Sequence, residues 1–200
     1  RRMDVLTLLT FVWPEAQAVF PRDPAKLLIV GAGDPMWRGG LSAPNSYFMH
    51  AERPLVSENG TSSLVHELVH VFSRIRDTDK SDWISEGLAE YYAIELMRRA
   101  GGLSEDRYQK IREQLIEWSR PVDSLRSENS TGPITARAVL LLQELDREIR
   151  QATKDSQQRS LDDVTRGLMR LDKASTKGFI EISENVMGKP SEVLDSKLLK

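Results

Sequence analysis

Two histidines stand four residues apart in His66-Glu67-Leu68-Val69-His70, with a glutamate directly after the first. On a helix, residues at that spacing share a face, so both imidazoles can reach one metal ion. Glu67 falls on the adjoining face. From there its carboxylate can take the proton of a metal-activated water without ligating the ion itself. The chain has only 3 histidines, so two of them in this pattern form a specific signal. A catalytic ion that keeps one position open needs a third protein ligand. An extension to H-x-x-G-x-x-H fails, because Ser73 and Arg76 stand where the glycine and histidine would be. Cysteine is absent. Glu86 satisfies the requirement, in Trp83-Ile84-Ser85-Glu86-Gly87-Leu88-Ala89-Glu90-Tyr91. The stretch from His70 to Glu86 is long enough to end one helix, turn, and bring a second back past it. Gly87 is expected to let those two helices approach closely. Glu90, one turn after Glu86, is expected to accept a hydrogen bond from the far nitrogen of His66 and so set its tautomer. The apolar neighbours Trp83, Leu88, Tyr91 and Tyr92 predict a largely buried helix, where a carboxylate needs a partner.

The elements that must position these groups can be read from periodicity. Met3 to Phe20 predicts a helix that Pro14 threatens to break. Lys26 to Gly31 reads as a buried strand. Gly31-Ala32-Gly33 is not a dinucleotide loop, since the third glycine is missing and Pro35 and Trp37 follow. Gly39 to Asn45 reads as a loop, and Ser46 to Ala51 as a second strand near a sheet edge, with Pro54 just beyond. Helices are predicted from Thr61–Ser63 to about Ile75, Ser81 to Gly101, Ser104 to about Trp118, and Ile134 to about Gln151. Further helices open at Ser160, span Phe179 to Met187, and begin at Ser191. Trp13, Trp37 and Trp118 read as core or loop anchors, and His50 as a packed or surface histidine. Asn59-Gly60-Thr61 and Asn129-Ser130-Thr131 read as turn and helix-start chemistry.

Composition narrows the chemistry further. The 28 basic and 30 acidic residues leave a formal net charge of −2, which provides no basic field for nucleic acid. Without cysteine there is no disulfide framework, thiolate-bound zinc, iron–sulfur cluster or thiol nucleophile. One zinc ion per chain, held by His66, His70 and Glu86, fits the remaining donors. No apolar run approaches the roughly 18 residues a membrane span needs. No small-residue cleavage site follows Arg1 to Val12. A start at Arg1-Arg2 suggests a piece of a longer protein.

The segment H-E-x-x-H followed by E-G-aliphatic-A-x-Y resembles the signature of the gluzincin metallopeptidases. These include thermolysin, the neutral zinc aminopeptidases and the glycyl aminopeptidase family, the last being the most similar. Gly39-Gly40-Leu41-Ser42-Ala43-Pro44-Asn45-Ser46 sits where that family carries G-G-L-E-H-x-x-S, and Ala138 to Arg150 and Ser160 to Val164 resemble its C-terminal helices. The resemblance implies an α+β, thermolysin-like catalytic domain. A small sheet-bearing lobe (1–60) would precede a mostly helical lobe (61–200), with the zinc cleft between them. It implies zinc ligation by His66, His70 and Glu86, general-base catalysis by Glu67, and a substrate cleft lined by the Ser46 strand. The expected activity is peptide-bond hydrolysis on a peptide or protein substrate, in the cell envelope or outside the cell. The chain departs from the family in three places. The stretch from His70 to Glu86 is short. Ser42 replaces a glutamate that would hold a substrate's free amino terminus, which favours an endopeptidase over an aminopeptidase. Thr135 replaces an oxyanion tyrosine, leaving Arg137, Tyr47 or Tyr108 as candidates for that role. These departures keep a second reading open: a peptidase-like zinc module that binds a peptide or partner with little or no turnover.

Overall fold

The computed structural model describes residues 2–33, 40–58 and 60–200. The expected anchor Trp37, the start of the glycine-rich stretch at Gly39, and Asn59 lie outside them. The elements run α1 (Arg2–Val19), β1 (Leu28–Ala32), β2 (Gly40–Ala43), β3 (Ser46–His50), α2 (Ser63–Ser73), α3 (Trp83–Arg99), α4 (Glu105–Ser119), α5 (Pro133–Ala152), α6 (Leu161–Leu168) and α7 (Thr176–Met187). A 3-10 turn, Lys197–Leu199, closes the chain described. The class is α+β, with one small sheet among helices. None of the described helices is long and apolar enough to cross a membrane. Two compact units are present: Arg1–Arg74 with Tyr92–Ile111, and Ile75–Tyr91 with Arg112–Lys200. The single helix α3 contributes its first half to the second unit and its remainder to the first.

The first unit holds the sheet, in order β1-β3-β2. β1 runs parallel to β3, with Leu28 opposite Ser46. β2 runs antiparallel to it, with Ser42 opposite Tyr47. Three expectations fail here. The strand at Lys26 to Gly31, read as buried, is β1 at the sheet edge and mostly exposed, with Leu28 62% and Val30 43% exposed. The stretch read as a loop contains a strand, Gly40–Ala43, joined to β3 through Pro44-Asn45. Its glycine and serine carry little strand propensity, and pairing with β3 supplies what they lack. β3, in turn, is the central strand rather than a near-edge one. It ends at His50, four residues before Pro54 could interrupt any pairing. Alternation along β3 buries Tyr47 and Met49 on one face.

Helix α1 is continuous through Pro14. Pro14 and Thr10 are both exposed, so the carbonyl that Pro14 leaves without a donor can bond water. Val5, Val12, Ala16 and Val19 form its buried stripe. Trp13 packs edge-on to Phe72 at 4.9 Å, and Phe20 meets Phe72 at 5.8 Å and Tyr92 at 5.3 Å. This aromatic cluster joins α1, α2 and the second half of α3.

The second unit is helical. Ala138, Leu141, Leu142, Leu145 and Ile149 of α5 are buried, as their spacing predicts. Trp83 is wholly buried; its indole N–H donates to Thr176 Oγ1 at 3.1 Å and its ring meets Phe179 edge-on. Ser160 and Asp163 form a capping box at the start of α6. Helix α7 begins at Thr176, three residues before the expected Phe179, because the Ser175 hydroxyl accepts from Gly178 N. The short helix expected at Ser191 is a turn in which Ser191 Oγ accepts from Leu194 N.

Candidate metal centre

Helix α2 starts where Ser62, in extended conformation, accepts from Val65 N through its side chain. It stops at Arg74, a left-handed residue (φ 50°) whose N–H bonds His70 O. Leu64, Val65, Leu68, Val69, Val71 and Phe72 are buried. His66, Glu67 and His70 remain half-buried on the other side. The Arg74 guanidinium donates to Pro44 O (2.9 Å) and Asn45 Oδ1 (2.7 Å), which ties this end of α2 to the β2–β3 turn.

The Nε2 atoms of His66 and His70 are 3.2 Å apart. Two ligands of a tetrahedral ion with bonds of ~2.0–2.1 Å would be separated by about 3.3 Å. Ligand atoms of His66, His70 and Glu86 all lie within 4.8 Å of one another, so among the described residues these three form a cluster that could hold a metal ion. Two imidazole nitrogens and one carboxylate oxygen suit zinc. Glu86 is in the first turn of α3, one turn before the half-buried Glu90.

Glu67 is placed by the sheet. A Cβ on Gly40 would stand 3.0 Å from both Cγ and Oε1 of Glu67, so the carboxylate rests on a strand with no side chain at the point of contact. Beside it, Tyr47 is 1% exposed and its hydroxyl is buried without a hydrogen-bond partner. Burial, and then the Glu67 charge, push the Tyr47 phenol far above its ordinary pKa, so it stays a neutral donor. Ser42 is half-buried on β2, paired in register with Tyr47.

Asp77 was not singled out by its sequence context, yet it is a perturbed group. Burial pushes its carboxyl up to about 6, against hydrogen bonds from Ser85 that favour the anion; the charges of Asp82 and Glu86 raise it further. Asp77 Oδ1 is buried without a partner. Asp82, just before α3, accepts from Ser130 N at 2.6 Å.

The remaining candidates are distributed elsewhere. His50 is buried at the end of β3 and its Nδ1 accepts from Glu52 N, the packed role expected of it. Thr135 donates to Ser130 O at 2.9 Å, closing the turn before α5. Tyr108 lies under the Arg98 guanidinium, 4.2 Å from centroid to Cζ. Arg137 lines a small cavity with Arg112. Gly87 does not serve α2: a Cβ there would come within 2.8 Å of Ala138 Cβ, so its close approach is to α5. Trp118 is 54% exposed, and its ring packs against Gly132. Gly40 and Arg74 act through partners distant in the chain, and Asp77 is perturbed first by burial, so nothing in their local sequence marks them.

The fold is similar to part of an aminopeptidase N family protein from Idiomarina loihiensis. The superposition covers 96% of this chain and 39% of that chain, with a TM-score of 0.62 and 16% sequence identity. The chain therefore spans about two fifths of that protein's length, and the likeness is one of fold, an α+β architecture. No family model matches the chain, and no curated protein matches it.

Proposed function

We propose that this chain is a zinc-dependent peptidase of the gluzincin type, with a thermolysin-like catalytic domain. The observation that carries the reading is the convergence of His66, His70 and Glu86 within 4.8 Å, with Glu67 beside them on α2. These three residues would hold one zinc ion. When bound, zinc supplies Lewis-acid polarisation of a carbonyl and lowers the pKa of water. Glu67 accepts the proton of the attacking water and passes it to the leaving amine. Gly40 leaves room for the Glu67 carboxylate against the sheet, and Tyr47 stays a buried, neutral hydroxyl donor near it. Glu90 orients His66 from the next turn of α3. Ser42 offers a hydroxyl and no counter-charge for a substrate ammonium, which fits cleavage within a peptide chain better than removal of its first residue.

Replacing Glu67 by Gln is expected to leave zinc content near one ion per chain and to lower peptide hydrolysis by about 10²–10⁴-fold. Metal analysis and a quenched-peptide assay on the two proteins measure both. Undiminished hydrolysis in the variant would overturn the mechanism.

The second reading, a zinc module that binds peptide without turnover, draws on the oxyanion candidates. Thr135 is committed to Ser130 O and Tyr108 lies under Arg98. Zinc and peptide binding with no Glu67-dependent cleavage across a broad peptide library would select it.

A further inference from the structure

A second group of charged side chains lies on a different face of α5 from the one that meets α3. Ala138 and Leu142 are the residues that approach Gly87. Arg137, Leu140 and Glu144, at helical spacing, fall on another face. With Arg112 and Ile116 of α4 and Leu198 of the closing turn, they line a cavity of about 110 Å³. The wall carrying Leu198 is held by a bond from Leu125 N to Leu198 O at 2.8 Å.

One polar atom of this cavity is uncompensated. Arg137 Nε is fully buried and has no hydrogen-bond partner. Among the described residues, neither Arg112 nor Arg137 makes an ion pair. A buried N–H donor left unpaired on a charged group is costly, and an anion removes that cost with charge-assisted bonds. Arg112 and Arg137 are half-buried residues, whereas Glu144 is exposed. The charged lining thus sums to +1, which favours a monoanion over a dianion. The rest of the lining is aliphatic. A cavity of about 150 Å³ accepts the six carbons of benzene, so this one suits a ligand slightly smaller.

We propose that this cavity binds a short aliphatic carboxylate. The carboxylate takes the N–H donors of Arg137 and Arg112, and the alkyl group lies against Ile116, Leu140 and Leu198. The acid could be free or the C-terminus of a peptide, since the chemistry is the same.

The test is an NMR titration of the full chain, following the Arg137 Nε–H resonance, with isobutyrate, acetyl-alanyl-valine and inorganic phosphate in turn. Saturable binding of isobutyrate or of the peptide acid is expected, with a downfield shift of that resonance and weaker binding of phosphate. Tighter binding of isobutyrate would identify a free acid, and tighter binding of the peptide would identify a C-terminus. Arg137→Met keeps the aliphatic stem and is expected to weaken binding by about tenfold or more. Glu144→Gln removes an exposed negative charge without disturbing packing and is expected to tighten it. No saturable shift with either carboxylate, preference for phosphate, or affinity unchanged in Glu144→Gln would each overturn the proposal. The last holds even where Arg137→Met fails to fold.

Discussion

Glu67 depends on an atom that is missing. Gly40 leaves room for its carboxylate, and a Cβ there would meet Oε1 at 3.0 Å. Gly40→Val, with two further methyl groups in that space, is expected to displace Glu67 and lower kcat by about 10²-fold, with zinc content unchanged. Metal analysis beside steady-state kinetics separates this outcome from a loss of the metal centre. Asp77 allows a prediction for stability. Its carboxyl is held up to about 6 in the folded chain, above the ordinary 3.8. Below pH 3.8 it is protonated whether the chain is folded or not. As pH rises towards 6 the unfolded chain releases the proton while the folded one retains it, so the folded state loses stability, and the loss is complete above 6. At pH 7 this amounts to no more than about 3 kcal/mol. Asp77→Asn is therefore expected to stabilise the fold at pH 7, with the gain vanishing below about pH 4. Denaturant melts across that range measure it.

At the scale of elements, two helices carry the centre, and each is fixed by contacts that its own sequence only partly announces. The start of α2 depends on Ser62, whose Oγ accepts from Val65 N and donates to Leu55 O. Ser62→Ala is expected to cost about 1–2 kcal/mol, read from denaturant melts. For α3 the contact that matters is with α5. Gly87→Ala would gain up to about 1 kcal/mol of helix propensity. The added Cβ would stand 2.8 Å from Ala138 Cβ, and overpacking of that kind typically costs about 1–3 kcal/mol. The expected balance is a lower melting temperature and weaker zinc retention, because Glu86 precedes Gly87 directly. Pairing Gly87→Ala with Ala138→Gly should recover both, which a general helix effect would not.

For the whole molecule, a metal held by His66, His70 and Glu86 would join residues far apart in the chain, so its removal should be felt globally. A ligand that binds only the folded state at about 100 times its Kd adds about 2.7 kcal/mol of stability. Chelation is expected to lower the melting temperature, added zinc to restore it, and Glu86→Ala to blunt the response; calorimetry with and without chelator reads this. Local pattern was enough to read a candidate metal-binding cluster and most of the helices. Glu86 was legible because a third ligand is needed and the chain after His70 is long enough to turn back; His66 and His70 were legible because helical periodicity converts their spacing into a shared face, with Glu67 on the adjoining one. The apolar stripe of α5 and the caps at Ser62 and Ser160 were legible for the same local reason. The strand at Gly40–Ala43 was not, since its residues have little preference of their own and take their form from β3. Nor was the central position of β3, which depends on partners on both sides. Packing settled that Gly87 meets α5, that Glu67 rests on Gly40, that the Asp77 carboxyl is pushed up, and that Arg137 shares a cavity with Arg112. The helix contact, the Glu67 rest and the shared cavity each depend on residues remote in the chain, and the Asp77 shift depends first on burial; packing, not local pattern, sets all four.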